Sequence, residues 1–322
     1  MNRHLPLCLV LLTAVAGATS LGACSSDNGG NTSSNTTAGN PGGTGTGGAG
    51  GAGGGSTSSS GEGGDIFSSG ATTTTTGSPE ICDGIDNDGD GIIDNVDVGG
   101  DGICDCLAIA TLGVRGSAGI GDVFNTWLND RSDNGAIDLN DAVLTPQLLA
   151  PYQVIVAQNL SQIGRAYSPD EIAALEGWIR NGGGLITLIG YADTSERTNV
   201  NSLLAPFDVS YGPEPILPKQ GGTTIPITDW TTHPTTAGVS AVGFDNGYPV
   251  NGDAEVIATK DGWVVARAKT INEGHLFLWG DEWITFDSEW QDHPEYQVEH
   301  YWVNLIKWLT RESECQVPIP PQ

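Results

Sequence analysis

Val154-Ile155-Val156-Ala157, then Ser168-Pro169-Asp170-Glu171, then Asn181-Gly182-Gly183-Gly184-Leu185-Ile186-Thr187-Leu188-Ile189 decide the fold class. The first and last are short apolar runs of the kind that fill a strand buried on both faces. Between them Ser168 and Glu171 form a capping box, and Pro169 takes the first helical position, where no amide needs a partner. Ile172, Leu175, Trp178 and Ile179 then recur at helical spacing, and the glycines after Asn181 stop the helix. Strand, helix, strand in this order predicts a βαβ unit, hence a parallel sheet core.

The same pattern extends outward. Leu107 to Leu112 reads as a buried strand, and Ile120, Val123, Phe124, Trp127 and Leu128 form one face of a following helix. Glu255 to Ala258, Trp263 to Ala268 and His275 to Trp279 read as a meander. A last helix is expected to begin near Pro294, with Val298, Trp302, Leu305 and Leu309 on its apolar face. Residues 107–313 are therefore expected to be one α/β domain, an open, mainly parallel sheet flanked by helices, with residues 314–322 as a tail.

Upstream the composition changes. From Ser25 to about Ser78 the chain is Gly, Ser, Thr and Asn with Ile66 and Phe67 almost its only large apolar residues, too few to offset chain entropy. Residues 24–79 are expected to be a disordered linker, a tether spanning roughly 40 Å as Gly-rich coil. The formal charge of the whole chain is −27, and no Lys or Arg lies between Cys24 and Cys106. Nucleic acid is excluded as a partner on that ground, since phosphate binding needs clustered cations.

Residues 80–106 are the densest chemical signal, nine acids without a base. Counting Asp86 as position 1, carboxylates fall at 1, 3, 5, 9 and 12 (Asp86, Asp88, Asp90, Asp94, Asp97). Gly91 stands at 6, and the Ile92 carbonyl at 7. This is the spacing of an EF-hand-type loop, in which alternate hard oxygens turn toward one ion, so calcium is the expected cofactor and its role structural. The loop resembles the Asp-rich repeats of secreted proteins, such as thrombospondin type 3 and dockerin loops. It also resembles the Cys-Asp-Gly-x-Asp-Asn-Asp motif of bacterial surface proteins.

At the N-terminus, Arg3 precedes an apolar stretch from Leu7 to about Ala18, too short to span a bilayer, and Leu21-Gly22-Ala23-Cys24 closes it. The tetrapeptide resembles a bacterial lipobox. That resemblance implies a lipoprotein signal peptide over residues 1–23, cleavage before Cys24 and acylation of its thiol, with the lipid bilayer as partner. The expected location is the cell envelope, at the outer membrane or cell surface. Loss of Cys8 with the signal and lipidation of Cys24 would leave Cys82, Cys104, Cys106 and Cys315, an even set in an oxidising compartment. Cys104 and Cys106 are too close to pair comfortably. Cys82 with Cys104 and Cys106 with Cys315 are expected to pair, or the swapped version.

In an open α/β sheet, ligands sit beyond the carboxyl ends of the central strands. That places Asn159, Tyr191, Asp193, Asp281, Glu282 and Trp283 in a candidate pocket, with His233 as a further contributor. Trp279, Trp283 and Trp290 are candidates for stacking on sugar rings. Over residues 107–311 the chain resembles the class I glutamine amidotransferase-like superfamily. The resemblance rests on Tyr152-Gln153-Val154-Ile155-Val156, the capped helix into Gly182-Gly183-Gly184-Leu185-Ile186, His233-Pro234-Thr235-Thr236-Ala237-Gly238-Val239, and the Gly274 to Glu282 strand. It implies a three-layer amidotransferase- or flavodoxin-like sandwich. It also implies a nucleophilic Cys on the turn after Ile189, and a His-x-Glu pair after a late strand. Here the turn is Gly190-Tyr191-Ala192, and Gly280-Asp281-Glu282 keeps the acid without the base. The expected function is a surface-anchored lipoprotein with a noncatalytic binding or scaffolding domain, its partners envelope proteins or glycans. The alternatives are a secreted hydrolase acting on carbohydrate or amide through Asp281 and Glu282, and a structural spacer without ligand.

Overall fold

The computed structural model describes residues 77–114, 121–160, 165–190 and 194–310. Cys24, Tyr191, Asp193, Cys315 and the expected signal peptide, tail and nearly all of the linker lie outside them.

Eight strands make the main sheet, in the order β2 (Ile137–Asn140), β1 (Ile109–Gly113), β3 (Val154–Gln158), β4 (Gly184–Leu188), β10 (Gly274–Trp279), β9 (Trp263–Ile271), β8 (Glu255–Lys260) and β6 (Asp229–Trp230). From β2 to β10 every neighbouring pair is parallel; β9, β8 and β6 add antiparallel steps. The expected βαβ unit is β3, α3 (Pro169–Arg180) and β4, and the expected meander is β8, β9 and β10. A separate two-stranded sheet joins β5 (Val209–Tyr211) to β7 (Val250–Gly252).

Every residue of β1, β3 and β4 is buried, because helices cover both faces. Alternate side chains divide the core. Ala110, Leu112, Ile155, Ala157, Leu185, Leu276 and Leu278 pack with α2 (Pro146–Leu149), α3 and α4 (Thr194–Leu204). Ile109, Val154, Val156, Ile186, Leu188, Phe277 and Trp279 pack with α1 (Asp122–Asn129) and α6 (Val298–Leu309). Each fully buried Leu or Ile contributes about 1.5–3 kcal/mol. α6 begins later than expected, Pro294 to Gln297 forming a turn before it.

α3 has the predicted cap: Ser168 accepts the Glu171 amide at 3.3 Å, and Glu171 Oε2 accepts the Ser168 amide at 2.9 Å. Glu171 is also a buried hub, its Oε1 accepting the Leu144 amide at 3.1 Å and pairing with Arg165 at 2.8 Å. Burial acts to raise its carboxyl, but Arg165 and the surrounding amides hold it down to about 2. The glycines after α3 do more than stop it. Gly182 has φ +116°, and a Cβ at Gly184 would lie 2.8 Å from Leu309 Cβ, so this run lets β4 approach α6.

Residues 80–106 contain neither helix nor strand. Cys82 and Cys106 form a disulfide, so the first of the two expected pairings is corrected to the swapped one. Cys104 is disulfide-bonded as well, and its partner lies outside the described residues. The segment is joined to the body through buried Ile103 and by Asp101, which pairs with Arg131; that guanidinium sits 4.0 Å from the Trp127 ring centroid. No helix among the described residues is long and apolar enough to cross a membrane.

Candidate functional site

The carboxyl ends of β3, β4 and β10 bring together Gln158, Gly190, Glu196, Asp281, Glu282 and Thr285. Gln158 ends an otherwise apolar strand, 1% exposed, and its amide donates to Thr285 Oγ1 at 2.9 Å and Glu282 Oε2 at 3.3 Å. The Gly190 amide donates to Oε1 of Glu196 at 3.0 Å, in the first turn of α4. A Cβ on Gly190 would stand 2.6 Å from Glu282 Oε1 and 3.1 Å from Glu196 Oε2. Two carboxylates thus converge over Gly190, two residues past the end of β4. Asn159, just past β3, is half-buried with φ +51°.

Asp281 faces inward at 1% exposure. Its Oδ2 accepts the Asp245 amide at 2.8 Å and its Oδ1 the Glu282 amide at 2.7 Å. Burial nevertheless pushes its carboxyl well above the ordinary range. Asp245, itself buried, accepts the Lys219 amide at 2.7 Å, and Lys219 Nζ lies 3.5 Å from Asp245 Oδ2 and 4.6 Å from the Trp283 ring centroid. Asp281 therefore works as a clamp between the end of β10 and the chain around Asp245.

His233 is not at this end of the sheet. It packs edge-on to Trp308 at 5.0 Å, and His275 stacks on the same ring at 4.4 Å. His275 pairs with Gly184 at the amino end of β10, whereas Asp281 follows its carboxyl end, six residues and roughly 20 Å away at strand rise. A turn carrying His233 crosses the far edge of the sheet, which residue order alone does not reveal. Of the three tryptophans, Trp279 is corrected, being core, while Trp283 stays half-buried at the strand end. Trp279 is 0% exposed among Phe244, Trp230 and Tyr301, Trp290 packs on Phe124 and Trp127, and Trp283 lies on Phe286 beside Lys219.

In the acidic segment two residues of the set the spacing predicts, Asp86 and Asp88, come together with Glu80, and each of the three also accepts a backbone amide of the loop. Glu80, Asp86 and Asp88 bring carboxylate oxygens within 4.8 Å of one another, the one such group among the described residues. Asp94 is 0% exposed and accepts the amides of Asp83 and Gly84, both at 2.9 Å. Asp90 and Asp97 serve neighbouring turns, accepting from Ile92 at 2.8 Å and Gly102 at 2.8 Å; the Ile92 side chain is exposed.

Sequence reasoning passed over Gln158, Glu196, Thr285 and Asp245. Two carried a signal: Gln158 is the polar end of a buried run, and Glu196 stands in the first turn of the helix after β4. Asp245 carried none.

No family model matches the chain, and no curated protein matches it. Among solved structures it is similar to the mmIFT52 N-terminal domain at 13% identity and TM-score 0.51, over 63% of this chain and 98% of that one. A cytoplasmic protein of Salmonella typhimurium LT2 matches at 15% identity and TM-score 0.48, over 64% of this chain and 100% of that one. The exo-β-1,4-mannosidase Op5Man5 from Opitutaceae bacterium strain TAV5 matches at 11% identity and TM-score 0.39, over 65% of this chain and 37% of that one. At 13% identity the likeness to the first of these is one of fold.

Proposed function

We propose that this chain is an envelope lipoprotein, anchored through Cys24 and a long tether, whose amidotransferase-like α/β sandwich is a noncatalytic binding module for an envelope protein or glycan. One observation supports it most. The carboxylates at the strand ends are engaged in holding the fold: both Asp281 oxygens accept backbone amides, and Glu196 accepts that of Gly190. A hydrolase acting through Asp281 and Glu282 would need both to reach substrate, and Asp281 is 1% exposed. The turn after β4, Gly190-Tyr191-Ala192, has no Cys, Ser or Thr. Glu282, half-buried beside Gln158, is the group that would meet a ligand rich in hydroxyls or amines.

The acidic segment is proposed as a calcium-stiffened neck. Glu80, Asp86 and Asp88 are hard oxygen donors in one place, which fits calcium. In this reading the ion would fasten Glu80 to the turn at Asp86 and Asp88, while the Cys82–Cys106 disulfide and Asp94, through the amides of Asp83 and Gly84, tie residues 82–84 to the rest of the segment without it.

Thermal melting of the full-length protein against envelope glycans and peptides, with Glu282→Ala beside it, tests the binding reading. A ligand-induced rise in Tm that Glu282→Ala abolishes supports a strand-end site. No rise with any ligand favours a spacer, and turnover of a ligand by the parent chain overturns the noncatalytic reading.

A further inference from the structure

Between β5 and β7 the chain makes an excursion over residues 212–249. It pairs with itself, the Ile225 amide donating to Phe244 at 2.7 Å and the Ile227 amide to Val242 at 2.8 Å, and buries Ile216, Ile227, Val242 and Phe244 against the core. Bonds without a carboxylate tie it to the last helix region: Asn304 Nδ2 donates to the Ala237 carbonyl at 2.8 Å, His300 Nε2 lies 2.8 Å from the same carbonyl, and the Gln297 amide donates to that of Ala241 at 2.9 Å.

Its contact with α5 (Asp287–Gln291) is of another kind. Glu289 is 1% exposed. Thr224 Oγ1 donates to its Oε1 at a long 3.4 Å, and His293 Nε2 lies 3.9 Å from the same oxygen. Oε2 has no hydrogen-bond partner and lies against Gly243, where a Cβ would overlap it. Tyr296 closes the site by donating to the Thr224 carbonyl at 3.2 Å. The charges that face Glu289 are His293, Glu295 beyond it, and Asp245 on the excursion. A buried carboxylate with an undonated oxygen and two acidic neighbours is costly, and the neutral acid costs less.

We propose that Glu289 is a pH-sensitive latch: as a neutral acid it keeps the 212–249 excursion seated on α5, and on giving its proton to bulk water it draws solvent in and loosens that contact. Burial, opposed by His293 and Thr224, raises the carboxyl to about 7, which puts the change near neutrality. Gly243 is two residues from Asp245, whose amide Asp281 holds, so loosening reaches the wall of the strand-end site. The latch does not depend on what binds there.

Hydrogen exchange of the full chain at pH 6 and pH 8.5, corrected for intrinsic rates, tests it. The amides of Ile225, Ile227 and Val242 should lose up to about tenfold of their protection in the parent and none in Glu289→Gln. His293→Gln removes a ring whose protonated form favours the ionised carboxylate, so it should move the onset of loss to higher pH. Constant protection in the parent overturns the proposal, as does the same loss in Glu289→Gln. If Glu289→Gln fails to fold, an onset that His293→Gln leaves unmoved overturns it.

Discussion

Glu196 and Glu282 meet over Gly190: Glu196 Oε1 takes its amide at 3.0 Å, and Glu282 Oε1 occupies the space where a side chain would begin. Position 190, two residues past the central strand, is thereby committed to glycine by its neighbours, although its φ is not in the left-handed region. An exposed carboxylate would step aside at little cost; here Gln158 holds Glu282 in place.

Gly190→Ala should accordingly destabilise the fold by about 1–3 kcal/mol, the usual cost of overpacking. The cost should shrink in a Glu282→Ala background. Urea unfolding of the four proteins of this double-mutant cycle gives the coupling, and a coupling near zero would mean that the contact does not constrain Gly190.

Asp281 separates shape from charge. Asp281→Ala leaves the buried amide of Asp245 without an acceptor and should cost about 1–3 kcal/mol. Asp281→Asn keeps an acceptor for the Asp245 amide but turns its NH2 toward the Glu282 amide, so it should lose less than the alanine variant without matching the parent. Equal losses in the two variants would contradict the clamp.

Acid should act through His233 and His275. Burial lowers both, so below the ordinary histidine value of about 6.5 the unfolded chain takes up protons that the folded one refuses. Their contribution is complete above that pH and is lost as pH falls through the window beneath it. Glu289, raised to about 7, acts in the opposite sense, favouring the fold as pH falls from 7 toward 4.5. Urea midpoints of His275→Phe, which keeps a ring on Trp308, should fall less steeply between pH 6.5 and 5 than those of the parent.

Calcium should be sensitive to Asp86→Ala and Asp88→Ala, each weakening binding at least about tenfold in a calorimetric titration. Asp94→Ala should instead lower stability in the absence of the ion, because the Asp83 and Gly84 amides lose their acceptor. An Asp94 variant of unchanged stability that fails to bind calcium would restore the ligand set implied by spacing.

Non-reducing peptide mapping should recover Cys82 with Cys106, and Cys104 with Cys315. Removal of the 24-residue bridge by Cys82→Ser with Cys106→Ser should cost about 3 kcal/mol of the stability of the acidic segment. Cys82 found with Cys104 would overturn the pairing.

Much of the fold is legible because its determinants are local. The apolar run of β3, the capping box of α3 and the glycines before β4 each state their structure within a few residues, and so does the β8 to β10 meander. Elements with weak local signals were passed over: β2 with one buried residue of four, the two-residue β6, and α4, whose first turn is polar. The site divides in the same way. Asp281 and Glu282 are visible as the end of a strand, but Asp245 reaches them only through a chain crossing that leaves no periodic trace.

By itself the sequence determined the α/β class, the order of the central elements, the acidic segment without a base, and the absence of Cys, Ser or Thr from Gly190-Tyr191-Ala192. These follow from residue types at fixed short spacings. Tertiary structure alone decided that Cys82 joins Cys106, that Asp94 turns inward, that His233 lies at the opposite end of the sheet from Asp281, and that Glu289 is buried beside Gly243. Each depends on which distant segments pack together, and packing is set by shape and burial across the whole core.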